Sequence, residues 1–274
     1  MTEPEKALFQ YYFPNLDVEA ACISAPYDTT YNCLAWTLGF DNVWLWPGAC
    51  IEAFDKLYRR YGFTRATNGP IAAWGHSLTD MTHGSISGEG HGPRWESKPG
   101  DLNRIQHGMH GLSGAQYGQI LAFYKRNYSI TIAQDLIEHA SKYKPKTVKL
   151  KPKRKKILDR VLEGITQEQR EDFEKQFKKW KKSWSKGPGA VQSNPGHVRQ
   201  GEAYFKLGAM DEKVLLPLLI DKLRDPDNFL ALQLYDSMQP NLHLKIQIDP
   251  EDDLIFLGEQ GRAQKTVETY LKNI

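Results

Sequence analysis

Tyr31-Asn32-Cys33-Leu34-Ala35-Trp36 and, 50 residues after the thiol, Thr82-His83-Gly84 hold the two groups of this chain best suited to covalent chemistry, a thiol and an imidazole. Asn32 is a strong helix N-cap, and the run Cys-Leu-Ala-Trp-Thr-Leu before Gly39 has the length of two helical turns closed by a glycine. Cys33 is then the first residue of that helix, where free backbone N–H groups and the positive end of the helix dipole favour thiolate over thiol. A nucleophilic thiol also needs an imidazole within hydrogen-bond reach and a polar group to hold the second ring nitrogen. His83 lies on a strand candidate. Glu96, 13 residues further on, lies on the next one, a separation that makes the two neighbours across a hairpin. Ser97 and His107 are the alternative orienting groups. The opposing reading is that a cysteine between apolar neighbours is core material. Cys22 and Cys50 carry no such pattern, and three cysteines make no disulfide framework.

The elements that would position these groups follow from periodicity. Ala49 to Tyr61 places Ile51, Phe54, Leu57, Tyr58 and Tyr61 at helical spacing, stopped by Gly62. Beyond Phe63, the segments 71–75, 81–87, 94–98 and 103–107 each fit one strand between glycine-rich turns, which indicates an antiparallel meander; 117–128 could be a last strand or a helix, its aromatic and β-branched content favouring strand. Residues 1–30 read as an irregular lead-in. Thr131 to Tyr143 is helical, Lys144 to Lys156 an extended basic linker, and Ile157 to Trp184 a charged helical stretch, after which Gly187 to Gly196 breaks the pattern. Apolar stripes at 197–207, 212–223 and 229–239 predict three helices, 241–249 a short strand or arm, and 259–272 a final helix. Helices followed by strands give fold class α+β. The division is 1–129 for the α+β domain, 130–187 for a basic helical linker and 197–274 for a mainly helical C-terminal domain.

Charge is unevenly spread. Lys142 to Lys186 holds 17 Lys and Arg against 6 Asp and Glu, a local +11 within an overall +3, so the remainder stands at −8. Lys151, Lys153, Arg154, Lys155 and Lys156 could contact phosphates, and Phe177, Trp180 and Trp184 could stack on bases. The competing reading is a solvated lysine-rich face with its aromatics turned into the neighbouring domain. His83, His91, His107 and His110 with Glu89 or Glu96 are the available metal donors. No pair has ligand spacing on a helix, so neither metal nor cofactor is expected. No apolar run approaches the roughly 20 residues of a membrane span, and the polar start Met-Thr-Glu-Pro-Glu-Lys lacks a secretory leader's features. A cytoplasmic protein is expected; export by a dedicated machine fits the same residues.

The order helix-borne Cys, strand His, polar residue on the following strand resembles the papain-like cysteine peptidase superfamily, most closely its bacterial cell-wall amidase branch. The resemblance covers roughly Asp28 to Arg126 and is carried by Tyr31-Asn32-Cys33, Thr82-His83-Gly84 and Trp95-Glu96-Ser97-Lys98. It implies Cys33 as nucleophile, His83 as general base and then acid, Glu96 as orienting residue, and the Cys33 backbone N–H as oxyanion donor. The substrate would be a peptide or protein amide, acted on by hydrolysis, acyl transfer or deamidation. Two positions depart from the amidase pattern: Asn32 stands where Asp is common, and Leu34 where a small residue is common. Tyr-Asn-Cys-Leu-Ala-Trp, Trp-Glu-Ser-Lys-Pro-Gly and Gly-x-x-Tyr-Gly together resemble a bacterial domain family to which no activity attaches. Val214 to Pro226 resembles part of a HEAT-type helical repeat, a partner-binding surface in such proteins. The alternative function is a non-catalytic papain-like module that recruits a protein or nucleic acid through its helical C-terminal region.

Overall fold

The computed structural model describes residues 1–88 and 92–274, so the metal-donor candidates Glu89 and His91 lie outside the described residues. The fold is α+β, and its organising element is a seven-stranded antiparallel sheet. The strands are β1 (Cys22–Ala25), β2 (Phe63–Ala66), β3 (Ile71–Ser77), β4 (Asp80–Gly88), β5 (Gly92–Ser97), β6 (Arg104–His107) and β7 (Gln119–Arg126), in the order β1-β6-β5-β4-β3-β7-β2. The central four form the meander that the strand spacing indicates. β7 then returns along β3 and carries β2 at the outer edge.

The middle of the sheet is buried on both faces, which is why Ile71-Ala72-Ala73-Trp74-Gly75 reads as an unbroken apolar run. One face is covered by α2 (Cys33–Thr37) and α3 (Ile51–Arg60), which bury Leu34, Phe54, Leu57 and Tyr58 against Ile71, Ala73 and Tyr124. The other is covered by α1 (Glu3–Tyr12), whose Phe9 joins Phe13, Trp74, Ile105 and Tyr117. Residues 1–30 are therefore not an irregular lead-in. A capping box between Thr2 and Glu5, with Pro4 in the first turn, starts α1. β1 is only four residues long and slips register between Ile23 and Ala25, so it leaves no period to read.

The helical remainder comprises α4 (Gln134–Lys142), α5 (Pro152–Glu163), α6 (Gln167–Trp184), α7 (Glu202–Gly208), α8 (Glu212–Leu223), α9 (Leu232–Met238) and α10 (Gly258–Asn273). The basic linker ends sooner than expected: Pro152 sits in the first turn of α5, where a proline lacks nothing, so Lys153 to Lys156 are helical. Residues 197–201 are not α-helical. The 241–249 arm contains a short 3-10 turn, Leu242–Leu244, capped by Asn241, and no strand. Phe173, Phe177, Trp180 and Trp184 are buried against Leu215, Leu219 and Val267. They cannot stack on bases, while Lys151, Lys153, Lys155 and Lys156 remain exposed. No helix among the described residues is long and apolar enough to cross a membrane.

The core does not divide at the composition breaks. Ile255 and Phe256 belong to the α2–α3 face of the sheet, Ala190 and Val191 to the α1 face, and Trp44 to the helical core. The start of α10 docks on the segments either side of α2: Glu259 N–H donates to Trp44 O at 2.9 Å, Gln260 Oε1 accepts from Trp44 N–H at 2.9 Å, and Gln260 Nε2 donates to Thr30 O at 2.7 Å.

Candidate active site around Cys33

Asn32 begins α2 as its sequence position indicates. Its Oδ1 accepts from the N–H groups of Ala35 and Leu45, both at 3.2 Å, and its Nδ2 donates to Leu45 O at 2.7 Å. The donor is what an aspartate would lack, and it accounts for Asn at this cap: the same side chain starts the helix and pins the loop beyond it. Cys33 is the first residue of α2 and is fully buried. Leu34 is fully buried. It packs down onto Gly84 of β4, where an added methyl would meet Leu34 Cδ2 at 3.1 Å, Tyr58 Oη at 3.0 Å and Thr37 Cγ2 at 3.3 Å.

Four groups favour the thiolate: the Ser193 hydroxyl, the backbone N–H groups of Gly84 and Leu34, and the Lys98 ammonium. Burial outweighs them and pushes the thiol up to about 11, so in this closed arrangement Cys33 is a thiol at neutral pH. Lys98 is fully buried. Its Nζ donates to Asp28 O at 2.7 Å and to Gly100 O and lies 5.0 Å from the Tyr31 ring centre. Burial brings Lys98 down to about 8 against the opposing charges of Asp101, Asp28 and Cys33.

His83 is fully buried and stacks on Tyr117, with ring centres 4.0 Å apart and planes 6° from parallel. Burial first, then the charges of His107 and Lys98, hold its pKa well below the ordinary histidine value. The imidazole is therefore neutral, the form a general base requires. Among the described residues neither ring nitrogen has a hydrogen-bond partner, so the Cys33 thiol and His83 are not joined by a hydrogen bond.

The structure corrects the role of Glu96. Within β4 the side chains of His83 and Ser85 share one face, and those of Gly84 and Ile86 the other. Glu96 pairs with Ile86 and Ser97 with Ser85, so Glu96 lies on the opposite side of the sheet from His83. Its carboxylate instead meets Arg104 Nε at 3.0 Å, and that guanidinium lies 3.6 Å from the Trp36 ring centre. The hairpin expectation is right about the pairing strands and wrong about the register: Glu96 stands opposite Ile86, three residues along β4 from His83. Ser97 and His107 are on the correct face but serve each other. His107 Nδ1 is 2.7 Å from Gly108 O, an acceptor only, so Nδ1 carries the proton and Nε2 accepts from Ser97 at 2.8 Å. Ser97 Oγ then accepts from Ser85 at 2.7 Å, and Ser85 from Trp74 Nε1 at 2.8 Å. This directional chain runs beside His83 without reaching its nitrogens.

Lys98, Tyr117 and Ser193 complete the cluster, and sequence reasoning assigns none of them a role. Lys98 follows Ser97 in Trp-Glu-Ser-Lys-Pro-Gly, and Tyr117 sits in Gly-x-x-Tyr-Gly. There Gly114 and Gly118 form a bridge, and Gly118, at φ +69°, presses so closely on the Gly75 carbonyl that only glycine fits. Those two motifs are the signal that could have found Lys98 and Tyr117. Ser193, far downstream in a proline- and glycine-rich break, has none. Among the described residues no group of three His, Cys, Asp or Glu could hold a metal ion. Asp101, within electrostatic reach of Lys98, lines a cavity of about 360 Å³ together with Thr30, Lys181, Trp184 and Gln260.

No curated protein and no solved structure matches the chain. Residues 22–125 match the family described as a domain of unknown function, DUF7689. The matched stretch starts on the first residue of β1 and ends within β7. The similarity therefore spans the sheet with α2 and α3, includes Cys33, His83, Lys98 and Tyr117, and leaves out α1 and Ser193.

Proposed function

We propose that this protein is a cysteine-dependent acyl hydrolase or transferase acting on an amide bond of a peptide or protein, with Cys33 as nucleophile and His83 as its base, held here in a closed state. The observation that carries the reading is the polar surrounding of a fully buried thiol: the N–H groups of Gly84 and Leu34, the Ser193 hydroxyl and the Lys98 ammonium are within electrostatic reach of Cys33, and His83, neutral and with two nitrogens unpaired among the described residues, is within reach of the same Lys98. A cysteine that only fills space needs none of these. Burying polar groups without partners costs about 1–3 kcal/mol each, so such groups usually persist for chemistry.

His83 stacks on Tyr117 on the α1 face while α2 covers the Gly84 face, so opening would have to bring the imidazole and the thiol together; His83 would then take the thiol proton and Cys33 Sγ would attack the amide carbon. The N–H groups of Cys33 and Gly84 would meet the oxyanion, and the imidazolium would return its proton to the departing amine. Water or a second amine then releases the acyl group. Lys98 lowers the cost of the thiolate while the imidazole is neutral. Incubation with a peptide bearing a vinyl sulfone, a thiol-selective electrophile, tests this. Adduct on Cys33 that vanishes in His83→Ala supports the reading. Adducts confined to the half-exposed Cys22 and Cys50 contradict it.

A second reading has its own observation. The missing hydrogen bond between Cys33 and His83, with Glu96 committed to Arg104, suits a papain-like sheet kept as a binding module. Cys33→Ala would then leave function intact in a cell that needs this protein.

A further inference from the structure

Residues 187–193 lie across the Cys33 cluster; Ala190 and Val191 pack into the α1 face of the sheet, and four main-chain carbonyls are held by hydrogen bonds. Tyr12 Oη donates to Gly187 O at 2.8 Å, Asp101 N–H to Ala190 O at 2.9 Å, Tyr117 Oη to Val191 O at 2.6 Å, and Trp44 Nε1 to Ser193 O at 2.8 Å. Two of these donors are tied to the site. The Tyr117 ring stacks on His83, and Asp101 is three residues beyond Lys98. Gly100, at φ +45°, faces the strap where it crosses: a Cβ there would run into Ala190 O, Val191 C and Gln192 N. Glycine where another backbone must approach, and donors aimed at the carbonyls of Gly187, Ala190, Val191 and Ser193 in a strap that is a 3-10 turn over Gly187–Val191, are the features of a surface that reads peptide backbone. Gly187, Gly189, Ala190 and Ser193 are small, and the Ser193 hydroxyl, buried with no hydrogen-bond partner among the described residues, lies within electrostatic reach of Cys33. Ala190, Val191 and Ser193 are buried, whereas Lys186, Gly187 and Pro188 at the near end and Arg199 and Gln200 beyond the far end are exposed.

We infer that Tyr12, Trp44, Gly100–Asp101 and Tyr117 form a peptide-binding groove that the chain's own residues 187–193 fill. The external ligand of this groove is an unstructured peptide segment with small residues, Gly, Ala or Ser, at the position facing Cys33, and it enters by displacing the strap. The inference deepens the proposed function and rests on it only for which bond reacts; the groove itself stands on the main-chain contacts.

The test uses the full chain with Val191→Gly and Ser193→Gly together, which loosen the strap while leaving every groove residue in place. Iodoacetamide labelling of Cys33 is followed by mass spectrometry, with a synthetic peptide of residues 187–194 as competitor and a scrambled peptide as control. Cys33 should label at least tenfold faster than in the unaltered protein, and the 187–194 peptide, but not the scramble, should slow it again. A folded variant whose Cys33 is no faster, or faster but indifferent to the peptide, overturns the proposal. If the variant does not fold, hydrogen exchange and Cys33 labelling of the unaltered protein decide. A shared opening of 187–193 and Cys33, with β3 and β4 still protected, supports the groove; exposure of Cys33 only on global unfolding contradicts it. A peptide-sensitive Cys33 that labels with an ordinary thiol's pH profile would leave the groove standing and remove the catalytic reading.

Discussion

His83 pays for its position in stability. Its ring is fully buried, its two nitrogens are unpaired, and only the Tyr117 stack favours it. An apolar ring of similar shape keeps the stack and sheds the unmet hydrogen bonds, so His83→Phe should raise unfolding stability by about 1 kcal/mol in a urea titration while abolishing Cys33 reactivity. Acidification acts through the same group and through His107, which burial brings down to about 4. Both have folded pKa values below the unfolded value near 6.5, so the unfolded chain binds more protons between those limits. Their stabilisation is complete above about pH 6.5 and is lost as pH falls, at up to about 1.4 kcal/mol per pH unit for each histidine. Denaturation midpoints measured from pH 7 to pH 4.5 should fall steadily; a flat profile would show that the two rings are solvated.

At the scale of elements, the seating of α2 on β4 decides the site. Gly84 provides the clearance, with Leu34, Tyr58 and Thr37 all 3.0–3.3 Å from where a methyl would sit, and its N–H faces the sulfur. Gly84→Ala should therefore cost about 1–3 kcal/mol by overpacking and lift the start of α2 away from the strand, seen as a lower melting temperature together with faster Cys33 labelling. This seating is partly legible in the sequence. Asn32 as cap, Cys33 as first helical residue, and the strands carrying His83 and Ser97 follow from capping chemistry and turn spacing. The face of Glu96 is not legible, because a one-residue change of register moves a side chain to the other side of the sheet and the hairpin turn alone does not fix it. Brevity hides β1; α1 is as long as α3 but buries only Phe9 and Tyr12, too few to show a period; and a proline that reads equally as linker or first turn hides the helical start of Lys153 to Lys156. The strap is invisible to sequence reasoning, since its hydrogen bonds run mainly through main-chain carbonyls and its two core side chains, Ala190 and Val191, sit in a proline- and glycine-rich break with no period.

At the scale of the molecule, the sheet depends on the helical half of the chain. Ala190 and Val191 close one face, and Ile255 and Phe256 the other. A chain ended at residue 129, the boundary that composition suggests, leaves both faces open. It should bind a hydrophobic dye and lose the dispersed amide spectrum of a packed sheet, whereas an independent domain would keep it. The same interlocking gives the helical region control of the thiol, because α6 leads directly into the strap and α10 holds the loop of Trp44, a strap donor.

The most direct measurement is the rate of Cys33 alkylation against pH in the Val191→Gly/Ser193→Gly chain, with and without His83→Ala. Cys33 paired with His83 should react with a midpoint below the ordinary thiol value of about 8.5, and His83→Ala should move that midpoint upward while Cys22 stays unchanged. A Cys33 midpoint at or above the ordinary value, indifferent to His83→Ala, would contradict the assignment of these two residues as nucleophile and base.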